Sequence, residues 1–136
     1  MSESGPAYRR AHVTELDSLP NELVEAEWKP VRGAFGIEAF GANAYVASAT
    51  GELVIQRHVE RKVAHQELYV VLAGEARFTI DGEQFDAPVG TLVFCEPRAD
   101  RTAHANEPGT TVLAIGAAAG KQFEVSPWET QRTPAA

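Results

Sequence analysis

His65 to Gly90, HQELYVVLAGEARFTIDGEQFDAPVG, consists of three short apolar runs joined by two tight-turn signals. In the first run Glu67, Tyr69, Val71 and Ala73 alternate with Leu68, Val70 and Leu72. The run is apolar on both faces except at Glu67, the pattern of a strand buried on two sides. A turn at Gly74 leads into Ala76, Phe78 and Ile80, which alternate with Arg77 and Thr79. Asp81-Gly82 then supplies the pair that most favours a two-residue hairpin loop. The stretch reads as a β-meander with one carboxylate, Glu67, at its mouth.

Glu67, six residues and then Gly74 resemble the second half of the first cupin motif, G(X)5HXH(X)3-4E(X)6G. Gly90, Pro97 and the polar run Asp100 to Asn106 resemble the second motif, G(X)5PXG(X)2H(X)3N, with one extra residue before the proline. The resemblance covers about Gly36 to Gly116. It implies an all-β, single-domain cupin-type double-stranded β-helix, a jelly-roll barrel of two sheets packed face to face. It also implies a site, because in cupins the two His of HXH, the Glu and the His of the second motif bind a divalent metal.

Carried onto this chain, HXH falls on His58-Val59-Glu60, and Thr102 stands where the second-motif His belongs. Six residues rather than three or four separate Glu60 from Glu67, and the longer link carries His65. His65 and Glu67 share a face of an extended segment, and His104 lies two residues beyond Thr102. The implied metal set is His58, His65, Glu67 and His104, with Glu60 as a spare carboxylate. Imidazoles with a carboxylate suit Fe, Mn, Ni, Cu or Zn better than Ca or Mg. Equally, a few His and Glu scattered along an acidic chain arise without any site, and a fold does not carry a site with it.

At 136 residues, 44% hydrophobic and 23% charged, the chain fits one globular domain with a real core. Nineteen acidic against twelve basic residues give a net charge of -7, with no basic run longer than Arg9-Arg10 or Arg61-Lys62. Nucleic acid and anionic membrane are excluded as expected partners, since both need concentrated positive charge. One cysteine rules out an intramolecular disulfide, and no apolar run approaches a membrane span. A reducing cytoplasm is the expected location. Cys95, in the apolar run Thr91 to Glu96, reads as a buried and inert thiol.

Residues 1–27 read as an N-terminal arm, 28–117 as the barrel and 118–136 as a C-terminal tail, with Met1 to Pro6 and Gln131 to Ala136 loose. Pro20 interrupts any helix in the arm. Pro30 suits a first helical position and Gly36 a cap, so a one-turn helix is expected between them, with Trp28 packing the arm onto the barrel. Ile37 to Ala49 reads as a strand, with Gly41 as a bulge or bend.

In Glu52 to Val59, Leu53, Ile55, Arg57 and Val59 share one face, while Val54, Gln56, His58 and Glu60 share the other. Either His58 and Glu60 point inward, both faces are buried and the outer one serves a homodimer, or Leu53 and Ile55 face the core and His58 lies on the surface. Arg98 and Arg101 are expected at the barrel rim, able to bind an anionic group. Phe123, Val125 and Trp128 are expected to strap the tail down.

The pocket is expected to be lined by Glu67, Tyr69, Phe78, His58 and His104, with Arg101 as a further ligand-binding residue. Three functions fit. One is a small-molecule enzyme in which a metal polarises a substrate oxygen, or a metal-free variant with Glu67 or His65 as base and Tyr69 as acid. Another is a non-catalytic ligand-binding or sensing module. The third is a purely structural dimer.

Overall fold

The computed structural model of the chain describes residues 5–134. The loose ends expected at Met1 to Pro6 and Gln131 to Ala136 therefore lie partly outside the described residues. Among the described residues nine strands form two antiparallel sheets. The first holds β1 (Glu27–Lys29), β2 (Gly41–Val46), β9 (Thr111–Ala118), β4 (His65–Ala73) and β7 (Leu92–Cys95), in that order. The second holds β3 (Leu53–His58), β8 (Arg101–Ala105), β5 (Glu75–Ile80) and β6 (Glu83–Pro88).

From β2 onward the chain alternates between sheets, except at the β5–β6 hairpin. This is the jelly-roll arrangement, realised as two facing sheets; no ladder joins them into a closed barrel among the described residues. Asp81 and Gly82, at φ 50° and 86°, form the hairpin turn, and Ile80 pairs with Glu83 across it. The core lies between the sheets, with Tyr69, Val71, Val93 and Val112 from one and Val54, Ile55, Ala76 and Phe78 from the other.

The short helix α1 (Val31–Phe35) ends at Gly36, whose φ of 71° lets its N–H reach the Arg32 and Gly33 carbonyls. Pro30 is its N-cap rather than its first helical residue. Among its described residues the arm holds a 3-10 turn, Val13–Glu15. Trp28 is buried and its indole N–H donates to Asn43 Oδ1 at 2.9 Å. Its ring meets that of Trp128 at 5.4 Å, so the start of β1 and the tail helix α2 (Pro127–Thr130) pack together.

Three strand expectations change. The strand read as Ile37 to Ala49 begins only at Gly41. β4 is not buried on both sides: Leu68 and Val70 are half-buried and Leu72 is exposed, and its outer apolar face continues onto exposed Leu92 and Phe94 of β7. β3 obeys neither parity, because its pairing with β8 shifts register between Leu53 and Ile55 and again between Ile55 and His58. The extra residues break the alternation, so Ile55 and His58 both turn inward while Gln56 and Arg57 are exposed.

Candidate functional site

Glu67 sits on the inner face of β4 between two small neighbours, Cys95 of β7 and Gly116 of β9. A Cβ on Gly116 would lie 2.9 Å from both the Gln66 carbonyl oxygen and Glu67 Cγ. A residue without a side chain is what leaves room for the carboxylate. Cys95 is buried, and burial raises its thiol pKa, so it contributes shape rather than reactivity.

On the facing sheet His58 of β3 and Arg101 of β8 are ladder partners. Arg101 Nη1 donates to Glu67 Oε1 at 2.7 Å, and His58 Nε2 stands 3.5 Å from the same oxygen. Tyr69, two residues along the same face of β4, donates its hydroxyl there too. The Arg101 side chain is 0% exposed. Its Nε donates to the Ala99 carbonyl at 2.9 Å and its Nη2 to the Glu96 carbonyl at 2.6 Å. A buried cation needs such partners, since an unpaired one is strongly unfavourable.

His58 Nδ1 lies 2.6 Å from the Gln56 carbonyl oxygen and Nε2 lies 2.9 Å from Glu60 Oε1. A carbonyl and an ionised carboxylate both accept, and against that pair both ring nitrogens carry protons, which makes the ring an imidazolium. Burial works against that charge, but hydrogen bonds to Glu60, Glu67 and the Gln56 carbonyl outweigh it and raise the pKa from 6.5 to about 10. For Glu67, burial favours the neutral acid, yet the hydrogen bonds from His58 and Tyr69 and the charges of His58 and Arg101 hold its pKa below the ordinary 4.5. Burial and the adjacent Glu67 charge push the Tyr69 phenol well above 10.

One donor atom from each of His58, Glu60 and Glu67 lies within 4.8 Å of the others, so this group could hold a metal ion. The cluster forms the polar end of a cavity of about 200 Å³. Its walls come from Tyr45 and Ile55 inside the sandwich, Leu23 and Val24 of the arm, and Trp128 of the tail. Behind it lies a second space of about 20 Å³ bordered by Asn43, Glu60, Glu67, His65 and Glu129. That is room for about one water molecule.

His58 and Glu67 thus come together as expected, and Glu60 joins them as a full member. His65 is buried and stacks on Phe123 at 5.2 Å, but its Nε2 has no hydrogen-bond partner and it borders the smaller space instead of joining the donor group. His104 does not converge. Arg101, Ala103 and Ala105 take the inward positions of β8, which leaves His104 exposed on the outer face beside Leu53 and Arg77. Thr102 donates to the Ile55 carbonyl at 2.8 Å.

Phe78 is core, 5.7 Å from both Tyr69 and Phe85, and is not a cavity wall. Arg101 is not at the rim; it is sealed inside, where it cannot reach a ligand directly. Arg98 is the exposed one, paired with Glu96. The alanine alternation Arg101-x-Ala103-x-Ala105 is the sequence signal that marks the inward face, while nothing local marks Leu23, Val24 or Trp128 as wall residues.

No protein-family model matches the sequence, and no curated protein matches it. Solved structures do. A cupin protein from Bacteroides fragilis is 18% identical, with 90% of this chain covering 93% of that one at a TM-score of 0.65. A predicted oxalate decarboxylase from Thermotoga maritima is 16% identical over 79% of this chain and 97% of its own, with a TM-score of 0.64. A sugar phosphate isomerase of the cupin superfamily from Silicibacter pomeroyi is 14% identical over 79% and 74%, with a TM-score of 0.65. The chain has the cupin fold. The neighbours differ in the chemistry their names give, so the fold leaves the reaction open.

Proposed function

We propose that this cupin-fold chain is a small-molecule enzyme that moves protons without a metal, with Glu60 as the base and, once protonated, the acid, and with the imidazolium of His58 orienting it. One arrangement carries this reading: the cations facing Glu67 are a guanidinium and a doubly hydrogen-bonded imidazolium. Glu67 Oε1 already takes hydrogen bonds from Arg101 and Tyr69. A metal on that oxygen would stand beside a buried positive charge. Unit charges about 4 Å apart at an effective dielectric near 20 repel by ~4 kcal/mol, and a divalent ion doubles that. It would also have to displace the proton from His58 Nε2.

In this reading Glu67 and Arg101 hold the pair in place, and Tyr69, whose proton is committed to Glu67, is not the acid. Glu60 Oε1 is bound to His58, and its second oxygen accepts the substrate proton and returns it, while the His58 Nε2–H keeps the carboxyl group in position. The test is hydrogen–deuterium exchange at carbon. Hydroxy-carbonyl compounds incubated in D2O with EDTA-treated protein should show enzyme-dependent C–H exchange by NMR that Glu60→Gln abolishes. Exchange that appears only on adding a stoichiometric transition metal would contradict it.

A second reading is favoured by the convergence of His58, Glu60 and Glu67. These three would hold the metal, and the metal would supply a Lewis acid at the polar end of the cavity. A homodimer also belongs to the proposal, moved from the polar outer face of β3 to the apolar stripe of β4 and β7. There Leu92 and Phe94 are exposed and β7 is an open sheet edge, a surface a second copy covers symmetrically. Sedimentation should show a dimer that Leu92→Ser with Phe94→Ser converts to monomer; an unchanged dimer would place the interface elsewhere.

A further inference from the structure

We infer that the cavity selects ligands that donate hydrogen bonds, a hydroxyl or an ammonium on a small apolar body, and rejects anions. The inference rests on the reading of this cavity as the ligand site, and follows from an account of its polar atoms. His58 spends both N–H groups, on Gln56 and Glu60. Arg101 is wholly buried, with Nε, Nη1 and Nη2 each committed. Tyr69 gives its proton to Glu67. Asn43 has its oxygen taken by the Trp28 indole.

What remains toward the cavity is the two carboxylates of Glu60 and Glu67 among neutral polar groups, the Tyr45 and Ser126 hydroxyls and the side-chain amides of Asn21, Asn43 and Gln56. Lys62 also borders the cavity, but it is solvent-exposed in the loop between β3 and β4 and marks the rim. An anion entering would meet two carboxylates, with Arg101 sealed behind them and both His58 N–H groups already engaged, inside a chain of net charge -7. A donor would find carboxylate oxygens, which make the stronger class of hydrogen bond. Apolar walls from Ile55, Val24 and Trp128 then fit a compact hydrocarbon body. At about 200 Å³ the space is smaller than the roughly 300–1,000 Å³ of drug-sized sites and suits a single ring.

Benzylamine, benzyl alcohol and benzoate share the ring and differ in the head group, so they form a matched set of probes. Calorimetric titration of the full chain at neutral pH should give benzylamine an affinity at least about tenfold above benzoate, the scale of one charge-assisted hydrogen bond. Benzyl alcohol should fall between them. Glu60→Gln should cost benzylamine about tenfold while leaving benzyl alcohol within about twofold, and Trp128→Ala should weaken the amine and the alcohol alike.

Benzoate binding as tightly as benzylamine, failure of both amine and alcohol to bind, or amine binding untouched by either substitution would each overturn the inference. None of these outcomes bears on the exchange reaction, which is read separately. Conversely, the predicted probe order without any carbon exchange would leave the ligand class standing and make the chain a binding module.

Discussion

Arg101 decides the character of the site. A guanidinium wholly inside the sandwich, bonded to Glu67 and two carbonyls, fixes the position of the carboxylate and, together with the larger effect of the hydrogen bonds from His58 and Tyr69, holds its pKa below the ordinary range. Arg101→Met should therefore lower unfolding free energy by about 3–5 kcal/mol in denaturant titrations, because it strands a buried charge. Adding Glu67→Gln to it should recover part of that loss, whereas simple additivity would mean the two do not act as a pair. Arg101→Lys should not restore the wild-type value, since one ammonium cannot serve three acceptors spread as a planar fork serves them. His58 gives the pH behaviour. Its folded pKa is raised, so the stability it contributes is complete below 6.5 and is lost as pH climbs through about 10. Glu67 runs the other way, contributing above 4.5 and losing its share as pH falls through its lowered value. Stability of metal-free protein should peak between those limits and decline by roughly 2–4 kcal/mol toward pH 10, a fall that His58→Asn flattens. A curve that stays level from pH 6.5 to 10 would show that His58 is not held protonated.

Among the elements, the tail is a wall of the cavity as well as an end of the chain. Glu129 of α2 is buried and takes the Arg32 Nε–H at 2.8 Å, Trp128 lies against Trp28, and Arg132 pairs with Glu22. Arg32→Ala leaves that carboxylate without its cation, so the helix should loosen. Amide exchange over residues 126–133 should quicken at least about tenfold with β4 and β9 unaffected, as expected of a unit that opens locally; unchanged protection would make the ion pair incidental. Elements were also where the sequence could be read best and worst. The meander at 65–90 was legible because apolar alternation and Asp81-Gly82 act within a few residues. Glu67 was legible through its spacing to Gly74 in a known motif and His58 through a partial HXH, although the link between them is longer than that motif allows. The inward turn of Arg101 and outward turn of His104 were not, because counting from Pro97 assumes a regular approach to β8. The orientation of β3 failed for a related reason: its register shifts arise from pairing with β8, a strand more than forty residues away in the chain.

For the molecule as a whole, two sheets bring β3, β4 and β8 face to face, so that charged groups from separate strands meet at one end of a closed core. The remaining boundary of that space is supplied by both chain ends, Leu23 and Val24 from one and Trp128 from the other. No helix among the described residues is long and apolar enough to cross a membrane. The account stands on a pocket whose positive charge is built from side chains. Metal content is the direct measure: elemental analysis of protein expressed with added Fe, Mn, Ni, Cu and Zn, followed by thermal melts with each ion. The account predicts far less than one ion per chain and no rise in melting temperature on adding any of them. About one ion per chain, lost together with its thermal stabilisation in His58→Ala and Glu67→Gln, would contradict it.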